Sequence, residues 1–259
     1  MREPEKKRIS ILRLLILAAA VGVFCYAGMQ LLDYNGENVQ AERGNQALIE
    51  QAVVLVEPTV ETVPGQTQPV GEQAPIQVDF ETLRSQNPDI IGWIYSPDTP
   101  INYPIAQSDD NDYYLRRLTD GTRNTAGTIF VDFRNAPDFS DRNTLVYGHN
   151  MKNDTMFGTL SEYGRQSYYE AHRELWLLTP EQTFRLEPIA GFVTRADSDS
   201  YTLFETREAL RDYLETAVEQ SVFESDLDPE LVERIVTLST CTYQGVDKRF
   251  ILGCALSEL

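Results

Sequence analysis

An uncharged apolar run from Leu14 to Leu32 limits the architecture more than any other feature of the sequence. At about 1.5 Å per residue, a helix of about 19 residues crosses the roughly 30 Å hydrocarbon core of a bilayer. Basic residues precede the run and acidic residues follow it, which predicts a cytoplasmic segment 1–13 and an extracellular remainder. A cleaved signal peptide is the alternative, but the small residues Ala18–Ala20 lie inside the run, not after it. We expect a single-pass membrane anchor over residues 14–32.

Residues 33–75 form a segment of different character, rich in acidic side chains and with prolines through its second half. Such a segment buries too little apolar surface to offset the entropy lost on ordering it. The composition predicts an extended stalk, with a helical turn or two near Ala47–Leu55. The stalk would hold a folded domain, residues 76–259, away from the membrane.

The formal net charge of −18 narrows the classes of partner. A phosphate backbone would be repelled by so acidic a chain, so the sequence predicts no nucleic-acid binding. High solubility and repulsion of acidic partners are the consequences that we expect instead.

Short runs rich in β-branched and aromatic residues follow one another through residues 76–259. They predict a mostly-β barrel and not a series of alternating βαβ units. Apolar residues at helical spacing predict one long helix over Phe204–Val222. The predicted strands cover Ile90–Tyr95, Ile101–Ile105, Thr128–Asp132, Thr144–His149, Glu174–Leu178, Thr183–Thr194, Val232–Thr240 and Lys248–Leu256.

Cys241 is the strongest candidate for a reactive side chain. It directly follows the predicted strand Val232–Thr240 and is flanked by polar residues. Such a strand would hold it rigidly at a polar surface. Only the thiolate attacks well, and a neighbouring imidazolium or guanidinium favours that form. A structural role is the usual one for a lone cysteine, so the case for reactivity depends on those neighbours.

The other cysteines have simpler explanations. Cys25 lies in the predicted membrane segment. On a strand over Lys248–Leu256, alternation puts Cys254 on the face opposite Arg249. If Arg249 faces the site of Cys241, Cys254 faces away, which favours a buried small hydrophobe over a disulfide partner.

Two histidines are present, and His149 is the better candidate for a base. It follows a predicted strand and Gly148, which permits a sharp turn and close approach of a substrate. His172 lies at the end of a polar helix, where a cation complements the helix dipole. Arg249 interrupts an apolar strand; it is either a solvated side chain or a fixed cation that stabilises an oxyanion.

Cofactor sites are not indicated by the pattern. The histidines and the cysteines beyond Cys25 are too far apart for a usual zinc spacing. No glycine-rich phosphate loop is found. The sequence therefore predicts chemistry without a metal or an organic cofactor.

The run TLSTCTYQGVDKRFILGCAL at residues 237–256 resembles the signature of class B sortases, the cysteine transpeptidases of Gram-positive cell surfaces. The similarity continues through nearly all of residues 78–259. It includes the segments DNDYYL at 110–115, GTIFVD at 127–132 and YGHNM at 147–151. One departure is Gln244, because many members carry Glu three residues after the cysteine.

The resemblance implies an eight-stranded β-barrel decorated by helices, with the long helix between two of the last strands. The family's cysteine, histidine and arginine map onto Cys241, His149 and Arg249. The residues that bind substrate in the peptide groove map onto Asn111, Leu115, Tyr201 and Ser239.

The implied reaction is a two-step acyl transfer on secreted proteins that carry a C-terminal sorting signal. The threonine carbonyl of the signal would form a thioester with Cys241 and then pass to a primary amine. The amine would belong to a cell-wall precursor or to a pilin lysine, and attachment to peptidoglycan is favoured over pilin polymerisation. The sequence is also compatible with a hydrolytic cysteine protease and with a membrane-tethered binding module without activity.

Overall fold

The β-branched runs pair side by side until the sheet closes on itself. Eight strands form this closed barrel, in the order β10-β12-β11-β8-β7-β6-β5-β9 with the bounds given below. The computed structural model describes residues 11–56, 60–63, 66–69, 73–242, 245 and 247–259. The prediction of a mostly-β, eight-stranded barrel is confirmed.

The secondary-structure elements follow one another along the chain in this order. The strands are β1 Val53–Leu55, β2 Val60–Val63, β3 Gln66–Pro69, β4 Ile76–Val78, β5 Ile90–Tyr95, β6 Asn102–Ala106, β7 Ile129–Val131, β8 Asn143–Tyr147, β9 Leu175–Leu178, β10 Thr183–Arg195, β11 Ile235–Cys241 and β12 Lys248–Glu258. The α-helices are α1 Ile11–Ala52, α2 Phe80–Gln86, α3 Gln166–Ala171 and α4 Arg207–Gln220. Short 3₁₀ helices lie at Tyr114–Arg116, Gly158–Gly164, Asp199–Tyr201 and Pro229–Leu231.

Most neighbouring barrel strands are antiparallel, but β6 and β7 are parallel, and so are β8 and β11. The second of these pairs matters for the site, because parallel strands end at the same edge of a sheet. In the β8–β11 register, Ser239 lies opposite Tyr147. The residues that follow these two, Cys241 and His149, therefore leave the barrel at the same end.

The interior of the barrel is filled by alternate side chains of each strand. From the last two strands, Val236, Leu238, Phe250, Leu252 and Cys254 enter the main core and are buried. Residues of opposite parity face outward, where α4 covers the middle of the sheet and packs Ala217 close to Ile251. Cys241 lies beyond this cover, at the open end of the sheet.

Helix α4 is shorter than the Phe204–Val222 that apolar spacing predicts. Its N-cap is Thr206, whose hydroxyl accepts a hydrogen bond from the backbone N–H of Ala209 at 3.1 Å. A capping hydroxyl satisfies an orphan N–H and fixes where the helix begins. Phe204 lies before the cap and stacks against Tyr213 instead.

The prediction of an extended stalk over residues 33–75 is wrong for the part before Val53, because α1 continues to Ala52. The last turns of α1 have a packed face that the acidic composition concealed. Leu48 and Ala52 are buried in one apolar cluster with Trp93 and Trp176 of the barrel wall. Residues 53–55 then pair with residues 76–78, so the folded domain begins well before Ile76. Several residues between 57 and 72 lie outside the described ranges.

The chain divides into two units, residues 1–40 and 41–259. The described part of the first unit is helical and contains the apolar run, whose length and hydropathy suit a membrane span. The second unit contains the barrel, its helices and the candidate site residues.

Candidate active site

Strand β11 brings Cys241 to the open end of the barrel. Its thiol is free and exposed, although the six residues before it on the strand are buried. Such a strand has little freedom, because it pairs with β8 on one side and with β12 on the other. Cys241 therefore presents a solvent-accessible thiol on a rigid support.

His149 follows β8 and is bracketed by two contacts with the end of β11. The backbone N–H of Gly148 donates to the Ser239 carbonyl at 3.1 Å. The side-chain amide of Asn150 donates to the Cys241 carbonyl at 2.8 Å. These contacts on either side of His149 place it next to the thiol strand.

Gly148 is required here for a reason different from substrate approach. A Cβ atom on Gly148 would lie 2.6 Å from the ring of Phe157, a buried core residue. Side chains do not approach so closely, so any other residue would displace the turn. The glycine thus lets the segment before His149 pack directly on the core.

The ring of His149 is oriented by the backbone of Leu115, whose carbonyl oxygen lies 2.7 Å from Nε2. A carbonyl only accepts, so Nε2 carries the proton and Nδ1 is the basic nitrogen of the neutral ring. Burial lowers the pKa of His149, the Leu115 carbonyl partly opposes this, and the guanidinium groups of Arg116 and Arg249 lower it further. The neutral form of the ring is therefore favoured in the folded protein.

Arg249 lies directly opposite Cys241 in the antiparallel β11–β12 register. Opposed residues of such a pair project from the same face of the sheet. Strand β12 is not an edge strand, because Arg249 also pairs with Thr194 of β10. Arg249 is a half-buried residue on the face of the barrel that carries the thiol, and its Nη1 donates to the Lys248 carbonyl at 3.2 Å.

Two of the groove residues predicted from the sequence meet each other beside this face. The hydroxyl groups of Tyr201 and Ser239 lie 2.8 Å apart. Burial raises the pKa of Tyr201, while its contact with Ser239 and the charge of Arg249 lower it and Cys241 raises it. Tyr201 therefore remains a neutral phenol, close enough to Cys241 and Arg249 to interact with both.

The other two predicted groove residues approach the site from the segment between β6 and β7. Asn111 donates a side-chain hydrogen bond to Asp132 at 3.0 Å. Leu115 packs against the buried cluster of Ala106, Tyr114 and Phe130, in addition to holding His149 through its carbonyl. Gly127 makes this possible: its φ is +61°, and a Cβ there would lie 2.7 Å from the Leu115 oxygen.

Comparison with known proteins identifies the family. The Sortase domain matches residues 94–257, which is more than half of the chain. The chain belongs to the sortase family. Sortase B of Listeria monocytogenes is 33% identical over 222 residues, covering 85% of this chain and 86% of the relative.

Solved structures agree with this assignment. Sortase B of Bacillus anthracis in complex with AAEK1 superposes with a TM-score of 0.69 at 31% identity, covering 88% of this chain and 100% of that one. The Staphylococcus aureus sortase B–substrate complex gives a TM-score of 0.65 at 32% identity, covering 70% of this chain and 85% of that one. This sortase is of class B, a cysteine transpeptidase that anchors surface proteins, as the sequence predicted.

The two other cysteines of this sortase have different surroundings. Cys254 is free and fully buried in the barrel interior, as strand alternation predicted. Cys25 is exposed along α1. His172 stacks on Tyr168 and lies at the C-terminus of α3, in a separate part of the barrel domain. Gln244, the departure from the family pattern, lies outside the described residues.

Sequence reasoning missed Asn150 and Asp132 in this sortase. Asn150 directly follows His149, and its contact with the Cys241 carbonyl could have been suspected from that position alone. Asp132 directly follows β7 and contacts Arg134, two residues on, as well as Asn111 and Tyr147, which are distant from it in sequence. The weak signal for Asp132 is a carboxylate directly after three apolar strand residues.

Proposed function

We propose that Cys241, His149 and Arg249 carry out the transpeptidation. The observation that carries the proposal is the register across β8, β11 and β12, which brings the three residues to one end of the barrel. No other histidine is available among the described residues near Cys241. The residues that support the three side chains, above all Leu115 and Asn150, fix them before substrate arrives.

In the first step, Nδ1 of neutral His149 accepts the proton of the Cys241 thiol, and the resulting thiolate attacks the threonine carbonyl carbon of a sorting signal. The π electrons of the carbonyl move to its oxygen, and Arg249 stabilises this oxyanion. The oxyanion then collapses, the scissile C–N bond breaks, and the leaving amine takes a proton from Nδ1 of His149. A thioester to Cys241 and the free C-terminal fragment remain.

In the second step, a primary amine attacks the thioester carbonyl. Nδ1 of neutral His149 accepts a proton from this amine, the new amide C–N bond forms, and the C–S bond breaks. Cys241 leaves as the thiolate and takes back a proton from Nδ1 of His149, which restores the thiol and the neutral ring. The lowered pKa of His149 favours its role as the base in this step, because the ring readily stays neutral until the amine arrives.

The substrates that we propose are secreted proteins with a C-terminal sorting signal, and the acceptor is an amine of a cell-wall precursor. The N-terminal helix would anchor the enzyme with residues 1–13 in the cytoplasm and the barrel outside. Labelling of Cys241 on intact cells by a membrane-impermeant maleimide tests this orientation; a thiol that is labelled only after lysis would contradict it.

The catalytic roles are tested with the full-length chain in detergent. An internally quenched peptide library with NPQTN-like and LPXTG-like sequences is offered together with triglycine or lysine as the acceptor. We expect His149→Gln to lower the rate by at least about 100-fold, the usual contribution of a general acid–base group. His172→Gln is the matched control and should stay within about twofold of wild type.

The products distinguish a transpeptidase from a hydrolase. A thioester to Cys241, trapped by hydroxylamine, and a ligated amine product support the transpeptidase. Cleavage that does not change when the amine is added indicates a hydrolase, and full activity in Cys241→Ala or His149→Gln contradicts the residue assignment. Preference for lysine over triglycine would favour transfer to a pilin.

A further inference from the structure

Asp132 is a buried carboxylate beside the peptide groove that the proposed mechanism does not use. It directly follows β7, and only 1% of its surface is exposed. Its backbone is fixed on both sides, because its N–H donates to the Leu145 carbonyl at 2.9 Å and its carbonyl accepts from Gln107 at 3.0 Å. The side chain therefore has a defined direction.

Five hydrogen bonds converge on this carboxylate. Arg134 binds it in a fork, with Nε at 2.8 Å and Nη2 at 2.9 Å, and donates its backbone N–H at 3.0 Å. The Tyr147 hydroxyl donates at 2.8 Å and the Asn111 amide at 3.0 Å. Such convergence uses all the acceptor capacity of a carboxylate.

These bonds require the ionised form. Burial alone would raise the pKa of Asp132, but hydrogen bonds from Arg134, Tyr147 and Asn111 outweigh it and lower the pKa to about 2. Burial and then the negative charge of Asp132 raise the pKa of Tyr147, so this phenol stays protonated and continues to donate. Asp132 is therefore ionised at neutral pH, and the groups around it remain protonated hydrogen-bond donors.

The partners of Asp132 form one wall beside the thiol. The rings of Tyr147 and Tyr201 lie parallel, with centroids 6.3 Å apart and an interplanar angle of 11°. Tyr201 in turn contacts Ser239, two residues before Cys241. Arg134 extends from the carboxylate towards the Tyr201 carbonyl, 3.5 Å from Nη2. Asp132 therefore connects three separate segments that border the groove.

A second support holds the Tyr201 segment from behind. The buried amide of Asn143 donates to the carbonyls of Ser200 and Thr202 at 3.2 and 3.0 Å. This support acts on the backbone on both sides of Tyr201, whereas the hydroxyl end of the ring is held by Ser239. The orientation of the ring is constrained by the Tyr147 face, which Asp132 fixes.

We propose that Asp132 is a positioning residue for substrate binding: it holds Asn111 and the Tyr147–Tyr201 wall in the geometry that receives the sorting peptide. The inference rests on the proposed function, because that assigns Asn111 and Tyr201 to the groove. Asp132 acts through these neighbours and takes no part in the bond changes at Cys241.

The test compares Asp132→Asn with Asp138→Asn in the full-length chain. Both replace a carboxylate by an amide in the same loop, but Asp138 is exposed and accepts from the backbone N–H of its near neighbour Ser140. The probe is the library peptide with the highest Cys241-dependent rate, and its Kd is measured by fluorescence anisotropy in a Cys241→Ala background. We expect the peptide to bind Asp132→Asn roughly tenfold more weakly and Asp138→Asn as it binds wild type.

Readouts on the intact thiol separate positioning from general damage. With Cys241 present, we expect Asp132→Asn to raise KM, change kcat by less than about threefold, and leave the rate of iodoacetamide reaction with Cys241 unaltered. Equal peptide affinity in the two Asp→Asn variants would overturn the inference. A loss in kcat and in thiol reactivity that matches the loss in affinity would overturn it too.

A second variant tests the inference if Asp132→Asn does not fold. Tyr147→Phe removes one donor to Asp132 and keeps the ring, and we expect about threefold weaker binding; an unchanged Kd would contradict the inference. A wild-type chain that forms no Cys241-dependent product would instead refute the proposed function. Product formation by the wild-type chain is therefore measured before any Asp132 variant is compared with it.

Discussion

The two faces of the β11–β12 hairpin give the same residue type two opposite environments. Cys254 faces the barrel interior, where it is fully buried in the main core. Cys241 faces outward beyond the cover of α4 and is exposed, with Arg249 opposite it. Strand parity alone puts the two thiols on different faces, so chemical role here follows from the face and not from the residue type.

The interior face also controls ionisation. Burial raises the pKa of the Cys254 thiol far above its ordinary value, because the barrel interior offers the thiolate no solvation. A thiol in that position is a small apolar group. On the outer face Cys241 has solvent access instead, with His149 just beyond the end of the neighbouring strand β8 and Arg249 opposite it on β12.

The largest expected difference between the faces is in thiol reactivity. In a Cys25→Ala background, we expect iodoacetamide to modify Cys241 at least roughly 10³-fold faster than Cys254, which reacts only when the barrel opens. Peptide mass mapping over time measures both rates. Similar rates in the folded protein would show that the interior is accessible and would break the comparison; in denaturant the two rates should converge.

The same substitution on each face should separate stability from activity. Cys254→Ser puts a hydroxyl into an apolar interior and should lower the free energy of unfolding by about 2 kcal/mol. Cys241→Ser should change it by less than about 0.5 kcal/mol and abolish acyl transfer. Trp93 and Trp176, the two tryptophans of the chain, both lie in the barrel, so their fluorescence reports its unfolding in detergent.

A smaller effect is expected on the pH dependence of the free energy of unfolding, through His149 beside the outer face. The pKa of His149 in the folded chain is below the value near 6.5 expected when unfolded. The unfolded chain therefore takes up the proton first as pH falls below about 6.5, and the folded state loses stability in that direction.

Above neutral pH the His149 ring is neutral in both the folded and the unfolded chain, so it adds no pH dependence to the free energy of unfolding. We expect the free energy of unfolding of wild type, relative to His149→Gln, to fall from pH 7.5 to pH 5. Tryptophan-monitored denaturation at each pH measures this difference. A difference that stays constant, or that rises towards acid pH, would contradict the lowered pKa.

Local patterns predicted the elements well where one cause dominated. Asp79 caps α2 by accepting from the backbone N–H of Thr82 at 3.0 Å, a contact that an Asp directly before a helical run makes locally. Strand parity placed Cys254 correctly, because successive side chains of any strand point to opposite faces. The stalk prediction failed because composition gives the average over a segment, whereas Leu48 and Ala52 pack through a single face.

The supports of the site could not be predicted in the same way. Asp132, Tyr147 and Asn111 meet only because β6, β7 and β8 are neighbours in the barrel. Their contacts are side-chain hydrogen bonds between segments that are separate in sequence, and no periodicity in the sequence encodes them. The Leu115 carbonyl that orients His149 is a backbone group and leaves no trace in residue type.

The sequence by itself determined the apolar N-terminal helix, the strand-rich domain, the family motifs and the opposite faces of Arg249 and Cys254. These follow from hydropathy, periodicity and residue identity, which are properties of adjacent residues. Only the tertiary structure decided that the parallel β8–β11 pair brings His149 beside Cys241, and that Asp132 accepts hydrogen bonds from Asn111 and Tyr147. The physical reason is barrel closure, which sets the distances between strands that are remote along the chain.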